Sequence, residues 1–390
     1  MTDTAYTFDL PPELIAQQPP ARRGDARLLV AEPGLGPVGE RVFRDLPDLL
    51  RAGDLLVLNE SRVLPARLFT RRADTGGAVE LLLVEPMSAP RTWLAMARPA
   101  RRLREGLVLA VEGDSGDAPR LTVTGRTDDG MVAVVGDEDP ALLAARLGVM
   151  PLPPYIRRER DDPRAATDRE RYQTVFASVA AGATRSVAAP TAGLHFSPDT
   201  LARLGERGIA TAAVQLHVGP GTFQPPSDAQ IAARRLHAEA FGLPLATAAA
   251  VARTRAAGGR VIAVGTTSLR VLETVARLGL PAADGPDHRT WDGADQERPE
   301  FTGEARREDG AWAVHGTTRL FLAPPDRVTG ADGLVTNFHL PGSSLLMLVA
   351  AFAGDPAWRR IYDHAVGERM RFYSYGDCSL ILPGAKEALR

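Results

Sequence analysis

The chain has 390 residues, 44% hydrophobic and 24% charged, with a formal net charge of −2; it has room for two domains, or one with an insertion, and no overall field to hold nucleic acid. One cysteine, Cys378, excludes an intrachain disulfide and a cysteine-based zinc cluster. The only lysine, Lys386, lies near the C-terminal end, so the body of the chain has neither a Schiff-base lysine nor a Walker-type Gly-Lys-Ser.

The start, MTDTAYTFDLPPELIAQQ, has no basic segment followed by an apolar run, so no signal peptide is expected. The longest apolar stretch, Leu345 to Ala353, is about half of the roughly 20 residues a spanning helix needs. A soluble, cytoplasmic protein is expected. From Phe8 to Val30 the pattern predicts an extended start, a short helix over Pro11–Gln18 and a strand over Arg27–Val30. Asp54–Leu58 is a short apolar strand leading into the turn Asn59-Glu60-Ser61. Between about Ala66 and Val135, six alternating runs follow one another: Ala66–Thr70, Val79–Val84, Thr92–Ala97, Leu107–Val111, Leu121–Gly125 and Met131–Val135. They lie about 10 residues apart with Gly, Asp and Pro between, the spacing of a small β-barrel or sandwich.

After Pro151–Tyr155 the rhythm becomes strand, loop, helix. Ala210–Leu216, Val261–Val264 and Gly333–Thr336 read as strands; Ser197–Arg207, Leu245–Ala257, Ser268–Leu278 and Ser343–Ala353 read as helices. Ser197, Pro198 and Asp199 form a helix-start signal. The polar segment Pro281–Gly310 reads as a long surface loop, and the sequence does not decide whether it closes over a site. The predicted fold class is α/β: a mixed, barrel-like α/β domain, residues 1–60 and 150–390, with a small all-β barrel domain, 61–149, inserted in it.

Ligands of α/β sheets and barrels sit beyond the C-terminal strand ends. Four predicted ends carry polar clusters: Thr191–Phe196, Gln215–Phe223, Val264–Ser268 and Thr336–Pro341; a fifth polar stretch is Arg371–Asp377. Singly each has a bland reading: a structural histidine, a helix cap, a tight turn. Together they place three histidines and a Thr/Ser-rich helix start on one rim. Backbone N–H groups at that helix start favour a carboxylate or phosphate, and histidine is the natural acid or base near neutral pH. No His-x-His or His-Glu-x-x-His is present, so no metal centre is expected, with zinc on scattered rim histidines the lesser alternative.

Arginines cluster without acids in two stretches, Arg62, Arg67, Arg71, Arg72 and Arg91, Arg98, Arg101, Arg102, Arg104. These form a phosphate-binding surface or an ordinary arginine-rich one. Arg157 to Arg171 alternates with Glu159, Asp161, Asp162 and Asp168 and reads as a solvated, self-paired face.

The segments Phe8–Pro11, Leu58–Leu68 (LNESRVLPARL), Tyr172–Phe176, VAAPTAGLHF, LHVGPGTFQP, VIAVGTTSLRVLE, DGLVTNFHLP and RFYSYGD span nearly the whole chain. In these the chain resembles the S-adenosylmethionine:tRNA ribosyltransferase-isomerases of queuosine biosynthesis. Thr184-Arg185, Leu236–Glu239, Pro324–Asp326 and Pro341–Ser344 depart from the usual family pattern. The resemblance implies a two-domain protein, an α/β domain with an inserted β-barrel. It also implies transfer of the ribosyl unit of S-adenosylmethionine to 7-aminomethyl-7-deazaguanine at the tRNA wobble position. Rearrangement to an epoxycyclopentane gives epoxyqueuosine and releases adenine and methionine.

That chemistry asks for a base at the acidified carbon beside the sulfonium, a proton or hydrogen bond for departing adenine, and donors for the methionine carboxylate. His195, His217 and His339 are the expected base and acid, unordered. Thr266, Thr267 and Ser268 are expected to bind S-adenosylmethionine, with Thr191, Gly221, Thr222, Asn337, Arg371 and Asp377 as further substrate-binding candidates. Arg62, Arg67, Arg101, Arg102 and Arg104 are expected to meet the tRNA anticodon stem-loop. S-adenosylmethionine enters as substrate, so no cofactor is expected, and the chain is expected to act as a monomer. The alternatives are a paralogue with a small-molecule acceptor, an RNA-binding protein without catalysis, and a metal hydrolase.

Overall fold

Leu55–Asn59 and Val261–Val264 are buried at every position, as strands covered on both faces must be. The computed structural model describes residues 6–113, 118–128, 130–160, 162–179, 184–219, 226–280, 286–292 and 300–389. The first hairpin is β1 (Arg27–Glu32) with β2 (Gly36–Val42), followed by β3 (Leu55–Asn59) and the short β4 (Arg62–Val63). The expected helix over Pro11–Gln18 shrinks to a single 3-10 turn, Pro12–Leu14. Its continuation is extended because Ile15 bridges to Phe372.

The six alternating runs form β5 (Arg67–Arg72), β6 (Ala78–Pro86), β7 (Thr92–Arg98), β8 (Val108–Val111), β9 (Arg120–Arg126) and β10 (Val132–Gly136). They close into an antiparallel barrel in the order β10-β7-β6-β5-β8-β9. Period two sets its interior: Leu81 and Leu83, Leu109 and Val111, Leu121 and Val123, and Val132 and Val134 all point into one core.

The chain returns through β11 (Thr184–Ser186), which pairs in parallel with β4. Then come β12 (Ala210–Leu216), β13 (Arg235–Leu243), β14 (Val261–Val264), β15 (His288–Trp291), β16 (Phe301–Glu308), β17 (Ala311–Leu320), β18 (Gly333–Asn337) and β19 (Cys378–Ile381). The large sheet runs β15-β16-β17-β13-β12-β3-β14-β18-β19-β1-β2. Its middle, β12-β3-β14-β18, is parallel. Successive residues there alternate between two cores: Leu55, Val57, Val261 and Ala263 face one, and Leu56, Leu58, Ile262 and Val264 face the other. Helix Gly265–Arg277 covers the first through Leu269 and Leu272, and helix Pro198–Glu206 covers the second through Leu204. Ser197 caps the latter as its sequence predicts, accepting from Thr200 N at 3.1 Å.

Three further expectations are corrected. The sheet is open, with β15 and β2 at its ends, where a barrel-like closure was expected; its wings are built largely from antiparallel hairpins, which extend a sheet without wrapping it. The Pro281–Gly310 segment is not one loop, since β15 and β16 lie within it, paired from His288↔Arg306 to Trp291↔Gly303. Residues 281–285 and 293–299 fall outside the described ones. In β16 only Phe301 and Ala305 are buried, so four-residue spacing hides the alternation. Gly303 and Gly316 pair across β16 and β17, where a Cβ on either would fall 2.2 Å or 2.1 Å from a backbone oxygen of the other strand. The third concerns Arg157–Arg171, which is not wholly a solvated face. Arg158 grips Asp168 through two bonds of 2.6 Å and 3.0 Å, both side chains are under a tenth exposed, and Tyr375 donates to the same carboxylate.

Candidate active site

Because the middle strands are parallel, β12, β3, β14 and β18 all end on one rim. A cleft opens there. Its walls come from Ala188–Ala192, Val218 just beyond β12, Gly265–Thr267 at the start of the helix after β14, and Thr336–Leu340 at the end of β18. Tyr155, Tyr172, Ser343, Leu345, Tyr373 and Ser374 complete it. Gly265, at φ +88°, turns the chain straight from β14 into helix. That helix therefore begins three residues earlier than Ser268, with Thr266 and Thr267 in its first turn and no side chain capping it. Its N–H groups and positive dipole end face the cleft wall they help to build.

Of the expected site residues, Thr191, Thr266, Thr267, Asn337 and His339 line the cleft. Ser268 is fully buried, and its hydroxyl has no partner among the described residues. His195 is not on the wall: it is 3% exposed, packs on Phe43 with ring centroids 5.1 Å apart, and meets the cleft only through Asn337. His217 is half-buried beyond the end of β12 and does not line the cleft. Neither do Arg371 and Asp377. Both Asp377 oxygens are taken by backbone, from Arg27 N at 2.9 Å and Arg371 N at 2.8 Å. That stretch instead contributes its middle, Tyr373 and Ser374. Gly221 and Thr222 lie outside the described residues.

The tyrosine wall has no motif-like spacing; Pro153-Pro154-Tyr155 reads as linker. Tyr155 Oη lies 2.7 Å from Ser374 Oγ, and its ring is 4.5 Å from that of Tyr373. Burial pushes the Tyr155 hydroxyl up to about 12, so it stays protonated. Tyr373 holds φ +71°, a left-handed conformation costly for a bulky residue. It is held by its N–H on Phe338 O at 3.1 Å and its carbonyl on Gly376 N and the Asn337 amide.

His339 Nε2 lies 2.8 Å from Thr336 Oγ1, and its backbone N–H donates to Tyr362 Oη at 3.1 Å. Thr336 Oγ1 also lies 3.4 Å from Asn337 O. When Thr336 gives its hydrogen to Asn337 O, a neutral His339 donates from Nε2 and keeps its lone pair on Nδ1; when Thr336 gives it to Nε2, the roles reverse. Desolvation holds His339 down at about 3. It does the same to His195, where Arg371 and Arg23 add to the effect. A histidine held neutral can take a proton but has none to give until it has done so.

Unfolded histidine titrates near 6.5, so between about 6.5 and 3 the unfolded chain binds protons that the folded chain refuses. The stability is full above that window and is lost as pH falls through it. Urea unfolding midpoints are expected to fall from about pH 7 to about pH 4. The decline should be shallower in the double variant His195→Gln, His339→Gln; equal slopes would refute the assignment.

A second buried polar group escapes sequence reading. Arg270, on the helix that starts at Gly265, pairs through Nη1 with Glu239 of β13, and the side chains are 5% and 7% exposed. Glu239 Oε1 also accepts from Gly219 N at 3.2 Å, so the pair props the turn behind Val218. The expected RNA-facing arginines divide. Arg67 is spent on Glu80 across β5 and β6 at 2.8 Å, and neighbouring Arg71 and Arg72 pair with Glu112 and Asp74. Arg62 lies half-buried in β4. Arg101, Arg102 and Arg104 are exposed between β7 and β8 and make no ion pair among the described residues. Among those residues no three His, Cys, Asp or Glu side chains are grouped to hold a metal ion, and no helix is long and apolar enough to cross a membrane.

Residues 3–381 match the family described as Queuosine biosynthesis protein. The S-adenosylmethionine:tRNA ribosyltransferase-isomerase of Gloeobacter violaceus is 46% identical over 391 aligned positions, 99% of this chain and 97% of the relative. The protein of that name from Azoarcus is 45% identical over 377, covering 96% of each. A solved structure titled S-adenosylmethionine tRNA ribosyltransferase, from Thermotoga maritima, is 32% identical, covers 97% of this chain and 99% of its own, and has a TM-score of 0.49. Matched almost end to end, this chain belongs to the queuosine biosynthesis protein family.

Proposed function

We propose that this protein transfers the ribosyl unit of S-adenosylmethionine to 7-aminomethyl-7-deazaguanine at the wobble position of tRNA. It isomerises that unit to give epoxyqueuosine, with release of adenine and methionine. The observation that carries the reading is near-full-length identity of 45–46% to relatives of that name. The cleft is consistent with it. The uncapped helix start at Gly265–Thr267 suits the methionine carboxylate, with Thr191 beside it, and the Tyr155 and Tyr373 rings suit a flat base.

His339, with its neutral ring, takes the proton from the carbon next to the sulfonium, where positive charge makes that C–H acidic. The same proton is then available to the departing adenine. Arg101, Arg102 and Arg104 on the barrel supply cations for the anticodon stem-loop phosphates. The reading includes a catalytic part made of residues 1–60 and 150–390, a barrel part made of 61–149, action as a monomer in the cytoplasm, and no cofactor beyond the S-adenosylmethionine consumed.

The test is adenine release from S-adenosylmethionine with and without tRNA carrying the modified base. Release that requires the tRNA is expected. Turnover indifferent to tRNA would defeat the reading.

A further inference from the structure

Asn337 ends β18 on the cleft wall and is 2% exposed. Its Nδ2 donates twice, to Tyr373 O at 3.0 Å and to His195 Nε2 at 3.2 Å. Both N–H groups are thus spent away from any ligand. Turning the amide over would press Oδ1 against the Tyr373 carbonyl, two acceptors face to face, so the orientation is locked. Oδ1 is left buried with no partner among the described residues. A buried acceptor left unmade is costly and rare in a folded protein; it is expected where a ligand brings the missing donor.

The neighbours narrow the donor. Tyr373, whose carbonyl orients the amide, sets its ring beside that of Tyr155, with centroids 4.5 Å apart and planes tilted by 46°, an aromatic wall that suits a flat heterocycle. The carboxylate-seeking helix start is a different wall, Gly265–Thr267. We infer that Asn337 is a specificity residue that accepts a hydrogen bond from the N–H edge of a purine-like base, and that His195 is a positioning residue that acts by fixing the Asn337 amide. The inference rests on the function proposed above, which brings two such bases to the cleft: adenine of the donor and the deazaguanine of the acceptor.

Nothing in the arrangement requires a proton to pass through His195. Its Nε2 must be an acceptor to hold the amide, and desolvation keeps the ring in the form that can be one.

The experiment measures adenine release by full-length wild type, Asn337→Ala and Asn337→Ser, varying S-adenosylmethionine and modified tRNA in turn. KM for one substrate is expected to rise about tenfold, with kcat changed far less, the loss of one hydrogen bond. A rise in KM for S-adenosylmethionine assigns the bond to adenine, and a rise for tRNA assigns it to the acceptor base; either supports the inference. As an independent readout, wild type should prefer S-adenosylmethionine over its 6-oxo (inosyl) analogue in the first case, and Asn337→Ala should lose that preference. His195→Leu should raise the same KM, and His195→Gln, which keeps an acceptor, should restore it. Unchanged KM values in folded Asn337 variants, or a fall in kcat alone, would overturn the inference. A wild type that releases no adenine would instead bring down the function on which it rests.

Discussion

Alanine in place of His339 is expected to slow adenine release by about 10²–10⁴-fold, the usual worth of a positioned base, with a smaller effect on KM for either substrate. Position singles it out: of the three candidate histidines only His339 lines the cleft, where its Nε2 meets the Thr336 hydroxyl; its buried ring is held neutral, as that of His195 also is. His195 sits behind Asn337, and His217 stands off the wall. The ordering expected is therefore His339→Ala far below His217→Ala in kcat, measured in single turnover with saturating tRNA. A His339→Ala enzyme within about tenfold of wild type would move the base elsewhere.

Glu239→Ala is expected to destabilise the fold by about 3–5 kcal/mol, because it strands a charged guanidinium in the interior. Arg270 is 4% exposed, and its Nε and Nη2 already lack partners among the described residues; removing Glu239 takes the counter-charge it pairs with there. The same argument gives an opposite result for the pair. Glu239→Leu with Arg270→Met removes both charges together and should recover most of the loss, since a buried ion pair contributes little beyond an apolar pair of similar volume. Urea midpoints of the two variants decide it. A single variant within about 1 kcal/mol of wild type would show that water reaches the guanidinium. The Gly219 turn loses its bond to Glu239 in both variants, so activity should stay impaired even where stability returns.

What could be read from the sequence follows from how locally each feature is encoded. The barrel was legible because period-two alternation in Leu81–Leu83 or Leu121–Val123 is itself the inside–outside rule. The rim was legible because parallel strands put every loop after them on one side, so Thr266 after β14 and His339 after β18 meet without any knowledge of angles. The edge hairpin was not, since β16 buries only Phe301 and Ala305 and β15 none fully. Long-range partners stayed invisible as well. Asp377 looks like a ligand group in Arg371–Asp377, but two backbone amides claim it, one of them Arg27 N, 350 residues away in the chain. Tyr155 and Tyr373 become a wall only when their loops are brought together. His195 was visible as a residue, but that it faces an amide and not the cleft depends on a contact 142 residues away.

The barrel leaves and rejoins the sheet through strands that are hydrogen-bonded to each other. β4 and β11 lie side by side, and Arg67 and Val149 exchange backbone bonds at the barrel's foot. A body hung on one strand can spin about it; one hung on two pinned strands can only rock. Ser186, at the end of that neck, donates to Ala188 O at 2.7 Å and accepts from Val218 N at 3.0 Å, and both neighbours are cleft wall. The barrel's foot and the Ala188–Val218 wall are thus joined through one short hydrogen-bonded neck.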